Sequence, residues 1–251
     1  GRRVAEQRHA HGDKVVLGQT IVGQTGAAGQ QEGEQVLDIL INHPSTAKFI
    51  AKKLLRRFWG YQPPQAYIDA VAAAHSSSGG DIKAMLRVVL GLVASQVPPP
   101  KLKRPLHLLI SSIRAAQATV TSHTSFPGSV QTPMVQAGHL PFNWQAPDGY
   151  PDSVDYWAGG QLPRWNVGAV LMNGSSGSGY SGLSVNHVPL INGATTPSGI
   201  AEQISRTMLN GLMSPADKAA VAGYLGPTNP SVTKIREGIG LALASPSFQW
   251  F

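Results

Sequence analysis

The sequence predicts an all-α protein, a predominantly helical bundle with long ordered loops rich in Gly, Pro and aromatic residues. Three observations carry that reading. Residues 43–59 place Ala47, Ile50, Ala51, Leu54 and Phe58 at the spacing of one helix face, with Lys48, Lys52, Lys53, Arg56 and Arg57 filling the remaining arc. Ile82, Met85, Leu86, Val89, Leu90 and Val93 repeat that period more cleanly than any other stretch. Five segments of this kind follow one another between residues 34 and 120, joined by short polar connections, which is the pattern of a bundle. About nine helices are expected along the chain, with no sheet larger than a hairpin.

The 251 residues suffice for one large domain or two small ones, and 42% hydrophobic content fills a core. Only 13% of residues are charged, against roughly 25% in typical domains. The net charge of +7 comes from few acids rather than many bases, so a nucleic-acid partner is disfavoured. The absence of cysteine excludes disulfides, thiolate metal sites and thiol nucleophiles. No run of about twenty apolar residues offers a transmembrane segment. The opening Gly-Arg-Arg-Val-Ala-Glu-Gln lacks the apolar stretch of a signal peptide and an initiator Met, so the chain is expected to begin inside a longer protein.

Residues 1–32 read as a loop with a short strand around Val15, Val16 and Leu17, the lead-in from an incomplete N-terminal part. Residues 33–172 read as the bundle. Its helices begin near Glu34 (Val36, Leu37, Leu40, Ile41 apolar), at Pro44, at Gln65 (Ile68, Val71, Ala72 inward), after the N-cap Asp81, and at Pro105 (Leu106, Leu109, Ile110, Ile113, Val120). The helices at Asp81 and Pro105 are expected to cover the apolar seam of residues 43–59, with Leu54 inside it. Residues 121–163 carry Phe126, Phe142, Trp144, Tyr150, Tyr156 and Trp157, a short helix at 129–137 and the Pro147-Asp148-Gly149 turn. These rings either close one face of the bundle or offer a stacking surface for a sugar or other ligand. Another short helix opens at Arg164-Trp165-Asn166.

Residues 173–194 read as a Gly/Ser-rich linker, and 195–251 as three helices forming a small subdomain or a lid. Thr196-Pro197 starts the first, with Ile200, Ile204 and Met208 inward. Ser214-Pro215-Ala216-Asp217 supplies N-cap, first-position Pro and third-position acid to the second. The third runs over 231–244 on Val232, Ile235, Ile239 and Ala242.

No specific catalytic signature is present: there is no phosphate-binding Gly loop, nucleophile elbow, metalloprotease helix or haem attachment motif, and no cofactor is identified. His9 and His11 alternate on an extended segment, so both rings can face one metal; the plain alternative is a polar loop. Asp148, Asp152 and Asp155 are the only close acids, candidates for cation binding or acid–base work, or else turn caps. His43 is a candidate ligand or base, or the group that satisfies the helix start after it. The binding residues expected from the sequence are His9, Lys14, His43, Asp148, Asp152, Trp157 and Arg164, converging on one face with His43 and Arg164 central and Trp157 as a wall. In the alternative, Arg164 pairs with Asp148 or Asp152 merely to pin the aromatic loop.

Several segments together resemble the bacterial family known as domain of unknown function 1800 (DUF1800). They are His9-x-x-Gly12-x-Lys14 with Leu17-Gly18, residues 43–54, Lys103-x-Pro105, Ala146-Pro147-Asp148-Gly149-Tyr150-Pro151 with Trp157 and Arg164-Trp165-Asn166, and residues 244–249 at the end. The family commonly has Asp directly after the first His, where this chain has Ala10. The resemblance implies a protein about twice this long, of which this chain is the C-terminal half and the missing N-terminal half a partner. It also implies export to the periplasm or beyond, and a partner protein similar to sulfatases. It carries over no catalytic residue.

Three functions follow as expectations. The first is an exported binding or assembly protein at the cell surface or on a polymer. The second is an enzyme or enzyme subunit acting on a polysaccharide or other polymer. The third is a nucleic-acid-binding protein using the basic helix face.

Overall fold

In the computed structural model, which describes residues 10–173 and 180–251, thirteen α-helices and two small antiparallel strand pairs make an all-α fold. The chain divides into two compact units, residues 1–99 and 100–251. The boundary falls inside the Pro98-Pro99-Pro100 run, where ring-locked φ and missing N–H groups end a helix. The single bundle expected over residues 33–172 is therefore two bodies. The proline run, not the Gly/Ser-rich stretch, separates them.

The first unit opens with β1 (Lys14–Val16) and β2 (Gln19–Ile21), paired with Lys14 opposite Ile21 and Val16 opposite Gln19. Leu17 and Gly18, with φ of 48° and 78°, form the two-residue turn whose twist suits a hairpin. Four helices follow: α1 (Gly29–Asn42), α2 (Pro44–Phe58), α3 (Gln65–Ser77) and α4 (Ile82–Ser95). Asp81 caps α4 by accepting from the Lys83 N–H at 2.8 Å, as its residue type predicts. In α1, Leu37, Leu40 and Ile41 remain exposed.

The core of this unit comes from α2, α3 and α4: Ala47, Ala51, Leu55, Trp59, Ile68, Val71, Ala72, Met85 and Val89. Helix α2 is thus rotated from the expected seam. Phe58 is exposed and Leu54 only half-buried, while Leu55 is fully buried. The strict four-residue step 47–51–55–59 puts two alanines where helices approach closely, and seats Trp59 edge-on to Tyr67 at 5.0 Å. The helix at Pro105 belongs to the other unit's core rather than to this seam. Leu55→Asp is expected to abolish the cooperative thermal melt of this unit, since an unpaired buried charge costs several kcal/mol. Leu54→Asp should be much milder. Equal melts for the two variants would refute this rotation.

The second unit holds α5 (Pro105–Ala115), β3 (Thr119–Val120), α6 (Ser125–Gln136), α7 (Val154–Ala158), α8 (Gln161–Met172) and β4 (Leu183–Ser184). It continues through α9 (Val188–Ile191), α10 (Pro197–Leu209), α11 (Pro215–Leu225), α12 (Val232–Ala244) and α13 (Pro246–Gln249). Helix α5 stops short of Val120 because Gln117 turns left-handed, with φ of 52°. Thr119 and Val120 then pair with Ser184 and Leu183. The described part of residues 173–194 is not a linker: Tyr180, Leu183, Val185 and Leu190 enter the core, their apolar side chains outweighing the surrounding Gly and Ser. Residues 174–179, where the Gly/Ser run is densest, lie outside the described residues.

The C-terminal trio α10–α12 is not a separate subdomain or lid. Ile200, Ile204, Val221, Leu225, Ile235 and Ile239 share one core with Leu108, Leu171 and Met172. The Ser214 hydroxyl caps α11 by accepting from the Asp217 N–H at 3.1 Å. Helices α8 and α12 cross at Gly168 and Gly240, so closely that a Cβ on Gly168 would lie 2.5 Å from the Gly240 carbonyl oxygen. Among the described residues no helix is long and apolar enough to cross a membrane.

Candidate functional site

The aromatic-rich loop between α6 and α8 folds into a platform. Trp157 is buried and donates its Nε1–H to the Pro151 carbonyl at 2.8 Å. Tyr156 stands edge-on to it at 4.7 Å, while Tyr150 and His139 tilt against it at 5.8 and 4.8 Å. Trp144 lies 5.0 Å from Tyr150 and edge-on to Tyr156 at 5.8 Å. The polar tips are tied as well: the Trp144 Nε1–H donates to Asp148 Oδ1 at 3.1 Å, and the Tyr150 hydroxyl to the Leu140 carbonyl at 2.8 Å. Gly149, with φ of 77°, makes the turn that brings Tyr150 back under Trp144. Interlocked edge-to-face rings with satisfied N–H and O–H groups make a rigid surface. Above it opens a hollow of about 430 Å³ lined by Asn143, Trp144, Gln145, Tyr150 and Tyr156, with Gly138 and Ala146.

The three acids of this loop serve the platform. Asp148 holds Trp144, and Asp155 sits in the first turn of α7, where a carboxylate complements the helix dipole. Asp152 bridges Lys101 at 3.1 Å and Arg104 at 2.8 Å. Burial pushes its pKa up, but the hydrogen bonds and charges of Arg104 and Lys101 outweigh that and hold it below the usual carboxylate value. Asp152 is therefore ionised at neutral pH. His139 is kept neutral by burial and then by Arg104, and its Nδ1 accepts from the Leu106 N–H at 3.2 Å.

Arg164 is 2% exposed and pairs with neither Asp148 nor Asp152. Its Nε donates to Gln249 Oε1 at 3.0 Å and its Nη2 to the Lys103 carbonyl at 2.7 Å. Residues 101–103 run antiparallel to the chain end, with the Lys103 N–H donating to the Gln249 carbonyl at 2.8 Å. Arg164 clamps that pairing from within, as a structural residue. Lys103 places its Nζ 3.6 Å from the centre of the Phe248 ring. Burial, and then the Arg164 charge, lower its pKa from 10.5 to about 8.

A folded-state pKa below the unfolded one makes the protonated amine a liability that disappears between pH 8 and 10.5, where the unfolded chain binds more protons. The stability of the wild type relative to Lys103→Met is expected to rise across that window in urea unfolding. A difference constant with pH would contradict the lowered value.

In the first unit, Lys14 pairs with the buried Glu32 at 2.5 Å and reaches the Gly12 carbonyl at 2.9 Å, fastening the hairpin to α1 rather than facing a ligand. His11 is exposed, and His9 lies outside the described residues. Among the described residues no three of His, Asp or Glu gather as a metal would require. His43 is the N-cap of α2, its Nδ1 accepting from the Ser45 N–H at 3.2 Å. It also lines a hollow of about 250 Å³ together with the buried His75, Asn42 and Gly80.

Of the seven residues expected as one site, the six that are described serve two units: Lys14 and His43 in the first, Asp148, Asp152, Trp157 and Arg164 in the second. The sequence reading named Trp144 and Tyr156 among the rings of a possible stacking surface but missed Asn143 and Gln145 as lining residues. The Trp144 to Tyr150 spacing around Pro147-Asp148-Gly149 carries a signal for the hollow, because a tight turn returns the second ring to the first.

Fold and loop together define an all-α protein with a rigid aromatic hollow of uncharged lining, braced by ion pairs on one side. The chain belongs to the family described as protein of unknown function (DUF1800), whose family model matches residues 1–250. No curated protein and no solved structure matches it.

Proposed function

We propose that this protein is a non-catalytic binding protein that holds a carbohydrate polymer in the hollow over Trp144, Tyr150 and Tyr156. The observation that carries the reading is the lining itself, aromatic faces flanked by the side-chain amides of Asn143 and Gln145. A sugar ring presents an apolar C–H face that suits an aromatic surface, and hydroxyls that suit amides able both to donate and to accept. The volume of about 430 Å³ accommodates one or two sugar units and stays open for a chain to continue. Asp152 supports binding over hydrolysis. A glycosidase needs a carboxyl kept protonated by a raised pKa, and Asp152 is shifted the other way. An exported location and a sulfatase-like partner belong to this proposal through the family resemblance.

The test is affinity electrophoresis through gels containing soluble polysaccharides of different backbones. Retardation by at least one is expected, weakened about tenfold by Tyr156→Ala and again by Trp144→Ala, or about 1.4 kcal/mol for each ring. Retardation by none of them, or unchanged retardation of the folded double variant, overturns the reading. Binding lost steeply with salt on a nucleic acid would favour the basic face of α2 instead.

A further inference from the structure

A further hollow lies beside the Gly168–Gly240 crossing, between α8, α11 and α12, with a volume of about 640 Å³. Its floor and walls are apolar: Trp165, Ala169, Ala220, Tyr224, Leu241 and Ala244. Trp165 and Tyr224 are 51% and 42% exposed, so both rings present surface to the opening. Two carboxylates, Asp217 and Glu237, also line it, together with the polar Asn166, Asn173 and Ser245, and no basic residue does. On a chain of net charge +7 the lining of this hollow is locally acidic.

Each carboxylate spends one oxygen on the fold. Asp217 Oδ2 accepts from the Ser247 N–H at 3.0 Å and from its hydroxyl. Glu237 Oε2 accepts from the Tyr224 hydroxyl. The other oxygens, Asp217 Oδ1 and Glu237 Oε1, make no hydrogen bond or ion pair with a described residue. Lys234 donates to the Tyr224 carbonyl at 3.3 Å and holds its ammonium 5.8 Å from the centre of the Tyr224 ring, but it does not line the hollow.

We propose that this hollow binds a small organic cation, an apolar or aromatic body carrying a protonated amine. The apolar floor takes the body, the ring of Trp165 favours a positive charge over it, and the two carboxylates supply the counter-charge. An anionic body of the same shape is rejected by those carboxylates. The site is independent of the sugar-binding hollow, and its test leaves that reading untouched.

The test uses three probes of one shape, 4-phenylbutylammonium, 4-phenylbutanol and 4-phenylbutanoate, titrated calorimetrically at neutral pH into the whole chain. The ammonium probe is expected to bind at least about tenfold more tightly than the carboxylate, with the alcohol between. Glu237→Gln keeps the bond to Tyr224 but removes one charge, and should shrink that ratio to below about threefold. Ala220→Phe, at an exposed position on the rim, should fill the hollow and abolish binding of all three. No binding up to about 10 mM, dissociation constants within threefold of one another, or undiminished binding by a folded Ala220→Phe protein would each overturn the proposal.

Discussion

Replacing Arg164 with methionine is expected to cost about 3–5 kcal/mol of folding stability, enough to leave a protein of ordinary stability close to unfolding. The loss does not come from the charge alone. Methionine fills much of the same volume, but it leaves Gln249 Oε1 and the Lys103 carbonyl without the donors that reach them at 3.0 and 2.7 Å. Each orphaned buried acceptor costs about 1–3 kcal/mol. Relief of Lys103, whose protonation Arg164 opposes, returns a smaller amount.

Arg164→Lys should recover little, because one ammonium cannot reproduce a planar fork aimed at two separate acceptors. Urea unfolding with the amplitude of the whole second unit is the measurement. If Arg164→Met unfolds within about 0.5 kcal/mol of wild type, the clamp is not structural and the guanidinium returns as a candidate ligand group.

Gly168→Val is expected to be at least as damaging, by about 3 kcal/mol or more. A Cβ at this position would lie 2.5 Å from the Gly240 carbonyl oxygen and 2.9 Å from Leu243 Cβ. Neither is the end of a flexible side chain, so α8 and α12 must move apart and open the core between them. Even alanine should cost about 1–3 kcal/mol. Gly159→Ala is the internal control: its added methyl meets nothing within 4 Å, and its φ of −70° suits any residue. That variant should be neutral or slightly stabilising through the unfolded chain. Calorimetric melts that rank the Gly159 variant below the Gly168 variants would refute the close crossing.

The same crossing bears on the proposed amine site, since Trp165 and Ala169 hang from α8 while Glu237 and Leu241 hang from α12. A variant that separates these helices should widen that hollow, whereas the aromatic platform is held by its own loop contacts. Loss of amine binding with retention of polysaccharide retardation is therefore the expected profile of Gly168→Ala.

Of the two candidate sites, only the aromatic one left a trace in the sequence. The concentration of rings around Pro147-Asp148-Gly149 marks an ordered loop, because rings that interlock remove apolar area from water, although Phe142 stays fully exposed. The amine hollow left none. Its residues come from α8, α11, α12 and the start of α13, and each reads locally as an ordinary helix surface. Lys14 and Arg164 stood out as polar residues without packing duty, and both have one. Their partners, Glu32 and Gln249, lie 18 and 85 positions away.

What the sequence determined by itself is local. Helix starts at His43-Pro44, at Asp81, at Thr196-Pro197 and at Ser214-Pro215-Ala216-Asp217 stand where their capping side chains and fixed proline φ angles put them. The break at Pro98–Pro100 belongs to the same class, whereas Leu17, read as part of a strand, turns with Gly18 into a hairpin instead.

The tertiary structure alone decided which face of each helix is inside. Leu54-Leu55 and Phe58-Trp59 present two apolar stripes one residue apart, and burial energy per side chain scarcely distinguishes them. Close packing of Ala47 and Ala51 against α3 selects the stripe with Leu55 and Trp59. Shape complementarity between distant segments makes that choice, and it also closes the Gly168–Gly240 crossing and brings Gln249 to Arg164. None of it is encoded in the spacing of residues along one helix.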